Sequence, residues 1–187
     1  MQSLEYDRSF LAARILLDKI NANMIISGAF GLFEKKTVIA VGGYDSSTMG
    51  EDMELVVRLH EFSRMNRKPY KIDFAQDAIC WSQTPEKLSE LGKQRKRWQR
   101  GLFQCMWGHR KMLANPRYGA VGLLSYIYFL FYELLSPFIE LFGILTMVLS
   151  VMMDMLNVKF MLAFLACYAL YGILLTLTAY FSRIYPI

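Results

Sequence analysis

The sequence predicts a mixed α/β domain that hands over to interfacial and membrane-spanning helices. Three observations carry this. The first half is charged and alternates helix-period segments with short apolar runs broken by Gly and Pro. From Tyr118 onward the chain is almost wholly apolar. Between the halves stands a basic-aromatic stretch, Gln94-Arg95-Lys96-Arg97-Trp98. With 187 residues, 55% of them hydrophobic, the chain can bury one core of moderate size and still supply membrane segments.

From Leu4 to Ile20, Phe10, Leu11, Ile15 and Leu16 recur at helical spacing and predict an amphipathic helix. Ile25 to Phe33 is apolar and broken by Gly28 and Gly31. That suits a strand or loop whose backbone another group approaches closely, and equally suits glycines that serve a tight turn. Glu34 to Val41 reads as a short helix stopped by Gly42-Gly43, followed by a polar loop to Gly50. Leu55, Val56, Leu59 and Phe62 then define a helix of about three turns opening at Glu51-Asp52. An acidic pair in a first turn is stabilised by the helix N-terminus whatever its function, so taken alone it is more often a helix start than a site. Asp52 is nevertheless in phase with the buried face.

The helix ends at Arg64, Arg67 and Lys68 before Pro69, and Tyr70 to Trp81 reads as a pair of short strands or one interrupted strand. Thr84-Pro85-Glu86 is a helix start with Thr84 as cap, and the helix runs toward Trp98 with breaks expected near Gly92 or Gly101. On that helix Gln94, Arg97 and Trp98 share one face, while Lys93, Lys96 and Arg100 point elsewhere, toward lipid phosphates or simply solvent.

Leu102, Phe103, Met106, Trp107, Met112 and Leu113, edged by Arg110, Lys111 and Arg117, predict an interfacial helix ended by Asn115-Pro116. The organisation expected is therefore a soluble part at 1–98, an interfacial helix at 99–117 and a membrane region at 118–187. Within the last, a re-entrant or interfacial piece covers 118–136 and spans cover about 137–153 and 160–181. One straight helix from Tyr118 to Met153 would rise about 50 Å, too long for a hydrocarbon core of about 30 Å. Glu133 and Glu140 are costly toward lipid and should face protein or a polar path.

The net charge of +5 is concentrated between Thr84 and Arg117, where nine Lys and Arg face only Glu86 and Glu90. Beside an apolar run, that cluster favours anionic lipid or a sugar diphosphate over nucleic acid, for which no base-reading module is present. It also places its own side in the cytosol, to which Arg183 returns. Cys80, Cys105 and Cys167 show neither a disulfide framework nor a zinc pattern and are expected to be buried thiols. His60, without a second metal-type ligand at useful spacing, reads as a surface or packing histidine. The first residues lack a signal peptide's basic start and apolar core.

Gln94, Arg97 and Trp98 in Q-x-x-R-W spacing, preceded by Glu51-Asp52 and by Ser27-Gly28-Ala29-Phe30-Gly31, resemble the acceptor half of a processive-type inverting family 2 glycosyltransferase, the group that includes cellulose, chitin and hyaluronan synthases. The resemblance implies the nucleotide-diphospho-sugar transferase (GT-A) fold, here in part, as the α/β class of residues 1–98. It implies Asp52 as catalytic base with Glu51 orienting the loop, and acceptor contacts at Ser27, Gly28, Ala29 and Phe30. It also implies Gln94, Arg97 and Trp98 as the floor beneath the donor and acceptor. Arg97 can bond a diphosphate in paired fashion and Trp98 can stack on a sugar ring. Where the family's motif begins with Thr, this chain has Gly50.

The implied partners are a nucleotide-sugar donor, a carbohydrate or lipid-linked acceptor and membrane lipids, with no nucleic acid. The implied location is a multi-pass protein of the cell (inner) membrane with its catalytic part in the cytoplasm. The D-x-D motif of a donor-binding half is not found, nor a phosphate-cradling glycine loop, so the chain reads as a C-terminal fragment inactive by itself. No cofactor is expected within it, and a divalent cation (Mg or Mn) only in the complete enzyme. The alternative is a non-catalytic, membrane-anchored interaction or regulatory protein that kept this fold.

Overall fold

The computed structural model describes residues 14–184 except Ala29, Pro69, Gln76, Asp77, Ile79, Trp81, Ser82 and Thr84, with backbone only from residue 179 to 184. Leu4 to Ala13 of the first expected helix, the Thr84 cap and the Arg183 side chain lie outside the described residues. The helices are α1 (Ile15–Lys19), α2 (Lys35–Ala40), α3 (Glu51–Met65), α4 (Leu88–Gly108), α5 (Val121–Leu134), α6 (Ser136–Met152) and α7 (Val158–Ile184). Wide π-type turns make up most of α5, with one α turn at Tyr126–Tyr128 between them.

Residues 16–134 form one compact unit, and α3 lies at its centre. Met53 and Val57 of α3 join Cys105 and Met106 of α4, together with Met112, Tyr118, Val121, Tyr126 and Phe129. Leu55, Val56 and Leu59, on other faces of α3, pack with Ile72 and with the half-buried Phe33, Val38, Val41 and Tyr70. Each such large apolar side chain contributes on the order of 1.5–3 kcal/mol when fully buried, so α3 is anchored on two sides. Polar ties supplement this packing. The Ser125 hydroxyl donates to the Ala22 carbonyl at 2.6 Å, and Tyr126 donates to the Met106 carbonyl. The Gln99 side chain donates to the Leu134 carbonyl at 2.9 Å.

Helix α2 ends as its glycines require: Gly42 and Gly43 have φ of 93° and 77°, and the Gly43 amide returns to the Val38 carbonyl at 2.9 Å. The expected strands do not form among the described residues. A strand needs a ladder partner, and the extended backbone after Pro69 bonds to side chains instead. The Asn21 amide donates to the Tyr70 carbonyl at 2.9 Å and its Oδ1 accepts the Ile72 amide at 2.9 Å. Asp18 Oδ1 accepts the Phe74 amide at 2.8 Å. The alternation of residues 70, 72 and 74 is strand-like, but α1 and its following turn occupy the edge. Ile25 to Phe33 is irregular loop, the second of its two expected forms.

Helix α4 also departs from expectation. It begins at Leu88 behind an extended Lys87 that provides no side-chain cap, and it passes unbroken through Gly92 and Gly101. A 21-residue helix whose C-terminal half is anchored by buried Gly101, Cys105 and Met106 tolerates two glycines at about 1 kcal/mol each. One helix therefore carries both the Q-x-x-R-W motif and the first ten residues of the expected interfacial segment. Of the cysteines only Cys105 is buried, where burial pushes its thiol up to about 12; Cys80 and Cys167 are exposed.

His60 is a packing residue with no exposed surface. Its Nε2 lies 2.7 Å from the Asn23 carbonyl and so must donate, which leaves Nδ1 to accept from the Tyr70 hydroxyl at 2.7 Å. Arg64 Nε donates in turn to the Tyr70 oxygen at 3.0 Å. Burial, seconded by the nearby Arg64 charge, lowers the His60 pKa to about 4. Between pH 6.5 and 4 the unfolded ring binds a proton that the folded ring refuses, so folding stability falls as pH falls across that window, by on the order of 3 kcal/mol in total. Thermal unfolding followed from pH 7.5 to pH 4 should show this loss, and His60→Gln, which keeps one donor and one acceptor, should remove most of His60's share. An unchanged pH slope in His60→Gln would refute the assignment.

The other unit includes residues 135–187. In α6 no residue is buried, and Pro137 occupies its first turn, where its missing N–H is harmless. At 17 residues α6 is about 26 Å long. The stretch Val158–Thr178 of α7, with mean hydropathy 2.2, is the one helix among the described residues that is by itself long and apolar enough to cross a membrane. The helix start is set by Asn157, whose Oδ1 accepts the Phe160 amide at 3.1 Å.

Candidate active site

The acidic pair opens α3 directly after Gly50. Asp52 is half-buried and its two carboxylate oxygens have separate backbone donors. Oδ1 accepts the Met53 amide at 2.8 Å, within its own helix start. Oδ2 accepts the Gly28 amide at 3.1 Å, from a loop 24 residues earlier. A helix start explains the first bond and not the second. A Cβ on residue 28 would stand 3.2 Å from Asp52 Oδ2, so the glycine there serves a close approach to the carboxylate. Ser27 and Phe30 flank this contact and are exposed; the Ser27 carbonyl accepts the Phe30 amide at 3.1 Å in the intervening turn. Ala29 lies outside the described residues. Glu51 is exposed.

The motif helix reaches the same place through glycine. Gly101 stands one turn beyond Trp98 and, at i+4 from Arg97, on the face shared by Gln94, Arg97 and Trp98. A Cβ there would lie 2.7 Å from the Gly50 nitrogen and 2.8 Å from its Cα. The two backbones are therefore in direct contact, two residues before Asp52. Gln104 Oε1 accepts the Met49 amide at 2.9 Å and closes the junction. The Gly50 that departs from the family's Thr is thus the residue on which α4 rests. Gln94 is half-buried, while Arg97 and Trp98 are exposed, and the Arg95 guanidinium sits over one face of the Trp98 ring at 5.3 Å.

A charged network missed in the sequence holds α3 in place. Arg58 donates to the Val41 and Gly43 carbonyls, both at 2.6 Å, and to Glu54 Oε2 at 2.7 Å. His109, at the C-terminal end of α4, places Nε2 3.2 Å from Glu54 Oε1 and Nδ1 2.5 Å from Glu61 Oε2. The Glu54–Arg58 spacing of four was a visible signal; nothing local pointed to His109, 55 residues away from Glu54. Among the described residues no three His, Cys, Asp or Glu side chains gather into a metal-binding group.

The arrangement offers a carboxylate held by one backbone donor per oxygen, with a lone pair on each left for an incoming hydroxyl. Beside it lies a helix face carrying an amide, a guanidinium and an indole. The chain is similar to known proteins over part of its length. It is 37% identical over 90 residues to a poly-beta-1,6-N-acetyl-D-glucosamine synthase of Staphylococcus aureus strain COL, covering 48% of this chain and 19% of that protein. It is 32% identical over 115 residues to the synthase of the same name from Staphylococcus epidermidis, covering 62% of this chain and 25% of that protein. The chain thus spans about a fifth to a quarter of the length of these curated relatives. No solved structure matches it at comparable significance. The family described as glycosyl transferase family group 2 matches residues 1–187, its entire length, and the chain belongs to that family.

Proposed function

We propose that the complete protein is a membrane glycosyltransferase that moves a sugar from a nucleotide-sugar donor to a carbohydrate or lipid-linked acceptor, with inversion and in a processive manner, in exopolysaccharide synthesis. Family membership implies a nucleotide-sugar transferase fold, and the names of the relatives point to N-acetyl-D-glucosamine as the sugar. Asp52 removes the acceptor proton as the hydroxyl oxygen attacks the anomeric carbon from the face opposite the diphosphate. The bond from the anomeric carbon to the diphosphate oxygen breaks, and its electron pair leaves with the nucleotide diphosphate. Arg97 receives that charge through paired N–H groups. Trp98 stacks on the acceptor ring, Gln94 bonds sugar hydroxyls, and the Ser27 to Phe30 turn borders the acceptor. Glu51 orients the loop. A divalent cation belongs to the donor side of the complete enzyme, which sits in the inner membrane with more than one span and its catalytic part in the cytoplasm.

The observation that supports this reading most strongly is the Gly28 amide on Asp52 Oδ2, because it brings together two motifs that the resemblance assigns to one acceptor site. Sugar incorporation from radiolabelled nucleotide-sugars in membranes carrying the full-length protein tests it. No incorporation from any donor would favour a non-catalytic anchor. Arg97→Lys separates roles within the site: a point charge replaces a planar fork, and kcat/KM should fall by about tenfold or more. An unchanged value would remove Arg97 from leaving-group stabilisation.

A further inference from the structure

We propose a second binding site in this protein, for a phosphate group, in the cleft at the C-terminal end of α3. The cleft has a volume of about 800 Å³ and is lined by Arg64, Arg67, Lys68, Arg117, Tyr70 and Tyr118 among others. It lies twelve residues along α3 from Asp52, about 18 Å, and shares no residue with the sugar-transfer site. Four cations converge on it from three parts of the chain: the last turn of α3, the turn after it, and the short helical turn Pro116–Tyr118. The negative end of α3 accounts for Arg64 alone. Arg67 lies beyond the helix in left-handed backbone with φ of 50°. Arg117 is delivered by Asn115, whose Oδ1 accepts the Arg117 amide at 3.1 Å.

Among the described residues no carboxylate stands within salt-bridge distance of any of these four cations. Glu61, the acid whose charge raises the Tyr118 phenol after burial does, is committed to His109. Arg64 is fixed in place rather than solvated: its Nε bonds the Tyr70 hydroxyl, its guanidinium lies 5.4 Å from the Tyr70 ring centroid, and a Cβ on residue 119 would stand 3.2 Å from it. That leaves its two terminal nitrogens as a preset donor pair, the geometry that suits phosphate oxygens. Three residues after Tyr118 the chain enters α5, whose Leu123, Leu124 and Phe131 are exposed. A cationic cleft that precedes such an apolar helix in the chain fits the phosphodiester of an anionic lipid headgroup, and the same donors fit a soluble phosphate.

The test uses the full chain in nonionic detergent, with thermal unfolding as readout. The probes are sodium pyrophosphate and short-chain phosphatidylglycerol, with short-chain phosphatidylcholine as the zwitterionic control. A ligand that binds only the folded state raises the unfolding midpoint saturably. Arg67→Gln/Arg117→Gln, both at exposed positions, should raise the half-saturating concentration about tenfold or more. Lys35→Gln/Lys36→Gln, which removes the same charge from exposed positions of α2, should change it less than about twofold. Lys68→Gln, also exposed, should repeat the loss at smaller size. A response to pyrophosphate that the double variant weakens assigns a soluble phosphate, and one to phosphatidylglycerol alone that it weakens assigns a lipid headgroup. Equal responses in the double variant and the parent, or none to either anionic probe, would overturn the site. Asp52→Asn should keep the full response, so the outcome is independent of sugar transfer.

Discussion

Replacing Asp52 by Asn is expected to lower sugar incorporation by about 10²–10⁴-fold, the usual contribution of a positioned general base. The substitution keeps the shape but removes the charge. It also leaves one carbonyl oxygen to serve two backbone donors, the Gly28 and Met53 amides, that the carboxylate now serves with separate oxygens. A local cost of about 1 kcal/mol follows from the lost bond, small enough for the protein to remain folded. Initial rates at matched protein level, with donor binding measured alongside, decide the matter. A fall in rate with donor binding intact fits a base acting on the acceptor. Undiminished incorporation would eliminate Asp52 from the mechanism.

The second large effect concerns a residue that contacts no substrate. Gly101→Ala should lower both thermal stability and transfer rate, because its methyl group would stand 2.7 Å from the backbone nitrogen of Gly50 and 2.8 Å from its Cα. Backbone cannot swing aside as a side chain does. Either α4 retreats from the start of α3, carrying Arg97 and Trp98 away from Asp52, or the loop before Asp52 shifts. Overpacking of this kind costs about 1–3 kcal/mol. The control lies in the same helix: around Gly92 nothing stands within 4 Å of an added Cβ. Gly92→Ala should therefore stabilise the protein by about 0.5–1 kcal/mol through helix propensity alone, with transfer unchanged. Equal stability changes at the two positions would mean that the Gly50 contact does not hold the helices together.

Much of the candidate site could be read before any fold was known, because its signals are local. Helical phase set Gln94, Arg97 and Trp98 on one face, and the glycines at 28 and 31 suited either a backbone closely approached or a tight turn. The double glycine after Val41 and the apolar spacing from Leu55 to Leu59 gave the ends and the buried faces of α2 and α3. The expected strands failed for the opposite reason. Tyr70 to Phe74 has the alternation of a strand, but whether such a run joins a sheet depends on which partner reaches its edge, and here Asp18 reaches it from α1 and Asn21 from the turn that follows. The cap at Thr84 is outside the described residues, and the start of α4 at Leu88 follows no local signal.

By itself, then, the sequence determined the periodic elements, the apolar stretch that became α7 and the residue types able to do sugar chemistry. All of these follow from neighbours within one or two turns. Only the tertiary structure decided what Asp52 faces, that Gly101 and not Trp98 is where α4 meets α3, and that His109 bridges two glutamates of α3. It also gathered Arg64, Arg67, Lys68 and Arg117 around one cleft. Each of these is a contact between residues far apart in the chain, fixed by which apolar faces of α3 and α4 bury one another, and short-range spacing carries no record of that choice.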